Sequence, residues 1–149
     1  MSKQEYVTTA VDIEIPFHDC DPMNVVWHGN YPRYFEVARC QLLRLFNYDY
    51  LDMQASGYMW PIVDMRLKYV GSAKFTQMIT VTATLVEYEN RIKINYLITD
   101  KNSGAKLTKG YTIQAAVSMD TNELQFESPA ILIEKLQPFL AAHISSATR

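Results

Sequence analysis

Glycine is scarce in this chain. Five glycines among 149 residues leave little room for a Gly-x-Gly-x-x-Gly turn or a Gly-x-x-x-x-Gly-Lys phosphate loop, and neither is present. Dinucleotide redox chemistry and nucleotide hydrolysis are disfavoured accordingly. No Gly-x-Ser-x-Gly elbow occurs, so nothing supports a serine nucleophile. Cysteine appears only at Cys20 and Cys40. The expectation is two reduced thiols in a cytoplasmic chain. No run approaches the roughly 20 apolar residues of a transmembrane helix. The start, Met1-Ser2-Lys3-Gln4-Glu5, leads into no signal-peptide core. A positive excess is also missing. Fourteen Lys and Arg against sixteen Asp and Glu give a net charge of −2, which argues against nucleic acid as a partner.

What remains is a chain with 48% hydrophobic residues, enough for one core without a disulfide or metal staple. A single domain over 1–149 is expected, with its core at about 8–140. Residues 2–9 read as a frayed start and 142–149 as a weakly ordered tail. Residues 11–17 alternate apolar and polar and read as a half-buried strand. From Pro32, the positions Phe35, Ala38, Leu42, Leu45 and Phe46 follow helical spacing. Val37 and Leu43 widen that stripe and predict a helix buried on most sides, ending near Asn47. Strands are expected over 59–70, 76–88, 91–99 and 107–119, rich in Val, Ile, Thr and Tyr and separated by short turns. Connections this short require antiparallel neighbours. Ser128-Pro129 reads as an N-cap and first-turn proline of a short last helix, kinked or ended by Pro138. The fold class is α+β, with one antiparallel sheet curled around one long helix.

The densest chemistry lies between the first strand and that helix. Residues 17–31 carry Asp19, Asp21, His18, His28 and Cys20. A helix N-terminus offers unpaired N–H groups and positive potential, which can polarise a carbonyl. A carboxylate nearby can attack that carbonyl or activate water. The competing readings are a loop in which the two aspartates bind backbone N–H groups, and a metal site. The spacing puts no pair of ligands on one helix face and no second cluster exists, so no metal is expected. A second cluster is basic. Arg66 and Lys68, and likewise Arg91 and Lys93, are two apart and share a sheet face. With Lys74, these cations read either as an ordinary solvated face or as a groove for phosphates.

The run Phe17-x-Asp19-Cys20-Asp21-Pro22-x-x-Val25-Val26-Trp27-His28-x-Asn30-Tyr31-x-x-Tyr34-Phe35-Glu36-x-Ala38-Arg39 resembles the signature of the 4-hydroxybenzoyl-CoA thioesterase family. With His28 it is more similar to the short-chain and Tol–Pal-linked acyl-CoA thioesterase branch. The resemblance extends over roughly residues 10–130. It implies a hotdog fold, a five-stranded antiparallel sheet wrapped around one long central helix. It also implies a homodimer or a tetramer of two dimers, with active sites at the dimer interface. The implied reaction is hydrolysis of acyl-CoA or acyl-carrier-protein thioesters to acid and thiol. Coenzyme A or phosphopantetheine enters only as part of the substrate, and no cofactor is implied.

By position, Asp21 matches the family's catalytic carboxylate, as nucleophile or general base. His28 matches the branch histidine. The backbone of His28, Gly29, Asn30 and Tyr31 matches the oxyanion site. Asp19, Glu36 and Asp64 are supporting positions, Asp19 more structural than catalytic. Lys74, Arg91 and Lys93 are the candidate carrier-phosphate group. The chain departs from the family at Asn24, where glycine is usual, and at Glu89-Asn90, where aryl-CoA relatives are basic. The alternatives are a hotdog dehydratase and a non-catalytic module that binds acyl chains or acyl carriers.

Overall fold

A computed structural model describes residues 5–147 of the chain, with side chains to residue 145. The first strand, β1, spans Val7–Glu14. It begins and ends earlier than alternation alone suggested, because Tyr6 and the residues after it are already hydrogen-bonded to the strand beside it. The long helix, α1, spans Tyr31–Leu45, with Pro32 in its first turn. A short helix, α2 (Tyr50–Ala55), follows. The sequence reading assigned no helix there, although Asp49 and Asp52 form a reciprocal capping box at its start.

The remaining strands are β2 (Tyr58–Met59), β3 (Ile62–Tyr69), β4 (Met78–Glu87), β5 (Ile92–Asp100), β6 (Lys106–Gln114) and β7 (Val117–Ser118). Two of the expected strands are therefore broken. Trp60-Pro61 separates β2 from β3, and Ala115-Ala116 separates β6 from β7. Each short outer piece then pairs with the other, away from the main sheet. The main sheet has five antiparallel strands in the order β1-β4-β5-β6-β3. Its inner face carries Ile79, Val81, Ala83 and Leu85 of β4 and Ile92, Ile94, Tyr96 and Ile98 of β5, all buried. The period-2 alternation puts Lys93, Asn95 and Leu97 on the opposite face.

Helix α1 packs into the curled inner face through Tyr31, Tyr34, Phe35, Ala38, Leu42 and Leu43. Phe35 stacks on Tyr96 with ring centroids 4.3 Å apart. The close approach explains Gly110: a side chain there would collide with the Arg66 carbonyl and crowd Phe35. The helix is less enclosed than its apolar stripe predicted. Arg33, Glu36, Val37, Gln41, Arg44 and Leu45 are exposed, since the sheet covers only one side.

The last helix, α3, spans Ala130–Ala147. It is long, and it runs through Pro138 and through most of the expected tail. Pro138 is exposed, as is Glu134, whose carbonyl the proline leaves without its N–H donor. Residues 148 and 149 lie outside the described residues, as do residues 2–4 of the expected frayed start. Ser128 does not cap this helix. Its hydroxyl donates to the Tyr88 carbonyl and ties the approach to the β4–β5 turn. Leu132, Leu136 and Leu140 enter the core. No described helix is long and apolar enough to cross a membrane.

Candidate active site

The stretch from Pro16 to Tyr31 is irregular but closely bonded. One-turn 3-10 segments stand at Phe17–Asp19 and His28–Asn30, and the second runs directly into α1. The Asp21 N–H donates to the Val25 carbonyl at 2.9 Å, and the Asn24 N–H donates to the Asp21 carbonyl at 2.9 Å. Asn24 holds φ at 64°. Asparagine tolerates this left-handed conformation better than most residues, so the turn survives without the usual glycine. The Val26 N–H donates to the Ala73 carbonyl, and the Trp27 N–H to the Asp19 carbonyl. These bonds fasten the loop to the Ala73-Lys74 turn and to itself.

Asp19 is the hub. It is 2% exposed. Its carboxylate accepts from the Tyr34 hydroxyl at 2.7 Å and from Arg33 Nη2, and His18 Nε2 lies 3.6 Å away. Its carbonyl also accepts from the Asn30 side chain at 2.9 Å. Burial by itself would raise the Asp19 pKa. Donation from Tyr34 and Arg33, with the Arg33 charge, more than offsets it and holds the carboxyl below the ordinary range. Burial, then donation to Asp19, pushes the Tyr34 phenol far above its usual value. Arg33 and Tyr34 sit in the first turn of α1, so Asp19 anchors the loop to the helix start.

Asp21 is set differently. It is only partly buried. Its carboxylate accepts a single described hydrogen bond, 2.9 Å from the Met23 N–H, which is a local turn. One oxygen is therefore open. His28 is exposed, and no hydrogen bond joins its ring to Asp21 among the described residues. The backbone of His28 is held in place. Its carbonyl accepts from the Tyr69 hydroxyl of β3 at 2.8 Å, and its ring stands edge-on to Tyr69. Gly29 lies under the Trp27 indole, where a Cβ would collide with the ring. Asn30 makes no side-chain cap at the start of α1, so no side-chain cap competes there for the N-terminal N–H groups. Tyr31 is buried, and its hydroxyl accepts from the Ala73 N–H at 3.1 Å.

Other expected positions lie apart from this loop. Glu36 is on the exposed face of α1 and lines a groove with Arg33, Val37, Cys40, Gln41 and Arg44. Asp64 is on the outer face of β3 and accepts from the Tyr111 hydroxyl at 3.1 Å. Lys74 adjoins the loop through its bridge to Val25. Arg91 and Lys93 stand at the far end of β4 and β5, about 30 Å away by strand rise. Arg91 pairs there with Glu87 at 3.2 Å. Lys93 lies 4.7 Å from the centre of the Tyr111 ring. The three cations thus form no single cluster within the chain. Among the described residues, no three or more His, Cys, Asp or Glu side chains come together as a set of metal ligands.

Sequence reasoning missed the partners of these groups. Arg33 and Tyr34 as anchors of Asp19, and Tyr69 as support for His28, are contacts across 14, 15 and 41 residues. Of these, the sequence had singled out only Tyr34, as a position of the matched signature.

The family model described as "Thioesterase-like superfamily" matches residues 15–144. A Bacillus subtilis protein named "Putative acyl-CoA thioesterase YneP" is 31% identical over 85 residues, 57% of this chain and 61% of that one. The match thus spans less than two thirds of that relative. The crystal structure of a DHNA-CoA thioesterase from Staphylococcus aureus superposes with a TM-score of 0.73 at 25% identity, covering 95% of this chain and 91% of that one. The 4-hydroxybenzoyl-CoA thioesterase of a Pseudomonas species superposes with a TM-score of 0.74 at 21% identity, over 87% and 99% of the two chains. These superpositions agree with the five-stranded sheet and long helix of the hotdog fold.

Proposed function

Because residues 15–144 carry its pattern, the chain belongs to the thioesterase-like superfamily, and from that premise we propose that it hydrolyses acyl-coenzyme A or acyl-carrier thioesters. The observation that carries this reading is Asp21, a partly open carboxylate in a loop bonded directly to the start of α1. The thioester carbonyl lies against the backbone of His28, Gly29, Asn30 and Tyr31, where the Asn30 N–H already donates to the Trp27 carbonyl and the N–H groups of His28, Gly29 and Tyr31 are the donors. Those groups stabilise the oxyanion as it develops, an effect worth on the order of 10²–10³ in rate per well-placed donor. Asp21 supplies the attack, either directly through its carboxylate or by taking a proton from water. His28 lies beside the carbonyl and orients the thioester. The thiol of coenzyme A or phosphopantetheine leaves, and no cofactor enters the cycle.

The acting unit in this reading is a homodimer. Strand β3 ends the sheet with one edge unpaired. Val63, Met65 and Tyr69 are exposed on it. An open edge of eight residues, with apolar side chains between its charged ones, invites pairing with a second copy. That pairing would bring the two loops and the two β3 strands into one interface.

The test is thiol release, followed with a disulfide dye, across acyl-CoAs from acetyl to palmitoyl with benzoyl and 4-hydroxybenzoyl. Asp21→Asn is run beside the wild type. Release that falls by roughly 10²–10⁴ in a folded Asp21→Asn supports the assignment. Wild-type turnover in that variant removes Asp21 from the mechanism.

A further inference from the structure

The outer face of the sheet gathers positive charge that the Asp21 loop does not use. Arg66 and Lys68 of β3 and Lys106 and Lys109 of β6 line two adjoining hollows of about 500 and 460 Å3, which share Lys68, Leu97, Lys106 and Lys109. None of these four cations has an ion-pair partner among the described residues. Lys68 and Lys109 are direct cross-strand partners, and like charges set opposite each other destabilise a sheet. The carboxylate that β3 places on this face, Asp64, is engaged by Tyr111. The chain as a whole is negative, at −2, so this concentration of positive charge is local.

The second hollow also reaches Tyr69 and Val70. Tyr69 is the residue whose hydroxyl holds the His28 carbonyl. The cationic face and the candidate loop therefore meet across the end of β3.

We infer that this outer-face groove, built on Arg66, Lys68, Lys106 and Lys109, binds the phosphate groups of a nucleotide-bearing thioester. Resting on the thioesterase reading above, it names the nucleotide end of coenzyme A as the part recognised. Clustered cations bind phosphate through charge-assisted hydrogen bonds, and a positive cleft raises the local concentration of an anionic substrate. The groove takes the place of the Lys74, Arg91 and Lys93 group, whose members lie apart. A carrier protein offers one phosphodiester and no nucleotide, so it is the weaker occupant.

The experiment uses the Lys68→Ala/Lys109→Ala double variant of the whole chain. Thermal melting comes first and should show no loss of stability, since two exposed like charges are removed. The ratio of kcat/KM for an acyl-CoA to that for the same acyl-pantetheine, which lacks the nucleotide, is then measured. The expected result is a fall of at least tenfold in that ratio, carried by KM for acyl-CoA. Titration calorimetry with adenosine 3′,5′-bisphosphate should show weakened binding to the same variant. Lys135→Gln, on α3, serves as the charge control and should keep the wild-type ratio. Equal losses with both substrates, no loss with either, or unaltered bisphosphate binding would overturn the proposal. If the wild type cleaves neither substrate, the hydrolase reading fails, and the calorimetry still decides the groove.

Discussion

Two aspartates stand two residues apart in one loop and meet opposite surroundings. Asp19 is buried and accepts from Arg33 and Tyr34 of α1. Asp21 keeps one oxygen free of any described partner and spends the other on its own turn. A carboxylate saturated by donors holds structure together but is a poor base, because every donor stabilises its anion. A carboxylate with an open oxygen keeps its reactivity. The contrast separates a residue that builds the site from one that is available to act in it.

The largest effect that would sharpen this contrast is on rate. Asp21→Asn is expected to retain the wild-type melting temperature while hydrolysis falls by roughly 10²–10⁴. A melting temperature that dropped with the rate would blur the distinction between the two carboxylates. Asp19→Ala should act the other way round. It leaves the Tyr34 hydroxyl and the Arg33 guanidinium without their acceptor, at a cost of about 2–4 kcal/mol in urea unfolding. Part of that figure is lost to solvent, since Arg33 is half-exposed.

Acid titration tests the same pair by another route. The folded-state pKa of Asp19 is depressed. Its contribution to stability is therefore complete above the ordinary aspartate value of about 3.9. It is lost as pH falls below that value and through the folded-state pKa. Wild-type unfolding measured between pH 6 and 2 should show this loss, and Asp19→Asn should lack that component.

Smaller effects are expected where the loop is fastened from outside. Tyr31→Phe removes the acceptor of the buried Ala73 N–H and should cost about 1–3 kcal/mol. Tyr69→Phe frees the His28 carbonyl at an exposed position and should cost about 1 kcal/mol or less. Its effect on KM should exceed its effect on melting, since the bond it removes positions His28.

Much of the fold was legible beforehand, and the reasons are local. The apolar spacing from Phe35 to Phe46 can only be a helix. The Val- and Thr-rich runs with short turns between them can only pair antiparallel. What escaped the reading was set by neighbours distant in sequence. Trp60-Pro61 and Ala115-Ala116 interrupt strands that composition alone would continue. Pro138 stays inside α3 on the exposed side of that helix. Residues 7–9 are ordered because β4 lies beside them.

The candidate site divides along the same line. The sequence by itself determined which residue types crowd the loop before the long helix. It also determined the turn that Asn24 accepts, because backbone preference and helix periodicity are properties of adjacent residues. Only the tertiary structure decided that Asp19 is buried against Arg33 and Tyr34, that Tyr69 reaches His28, and that Lys68 faces Lys109. It likewise placed Lys74 far from Arg91 and Lys93. Burial, strand register and cross-strand charge depend on which segments fold onto each other, and no local pattern encodes that.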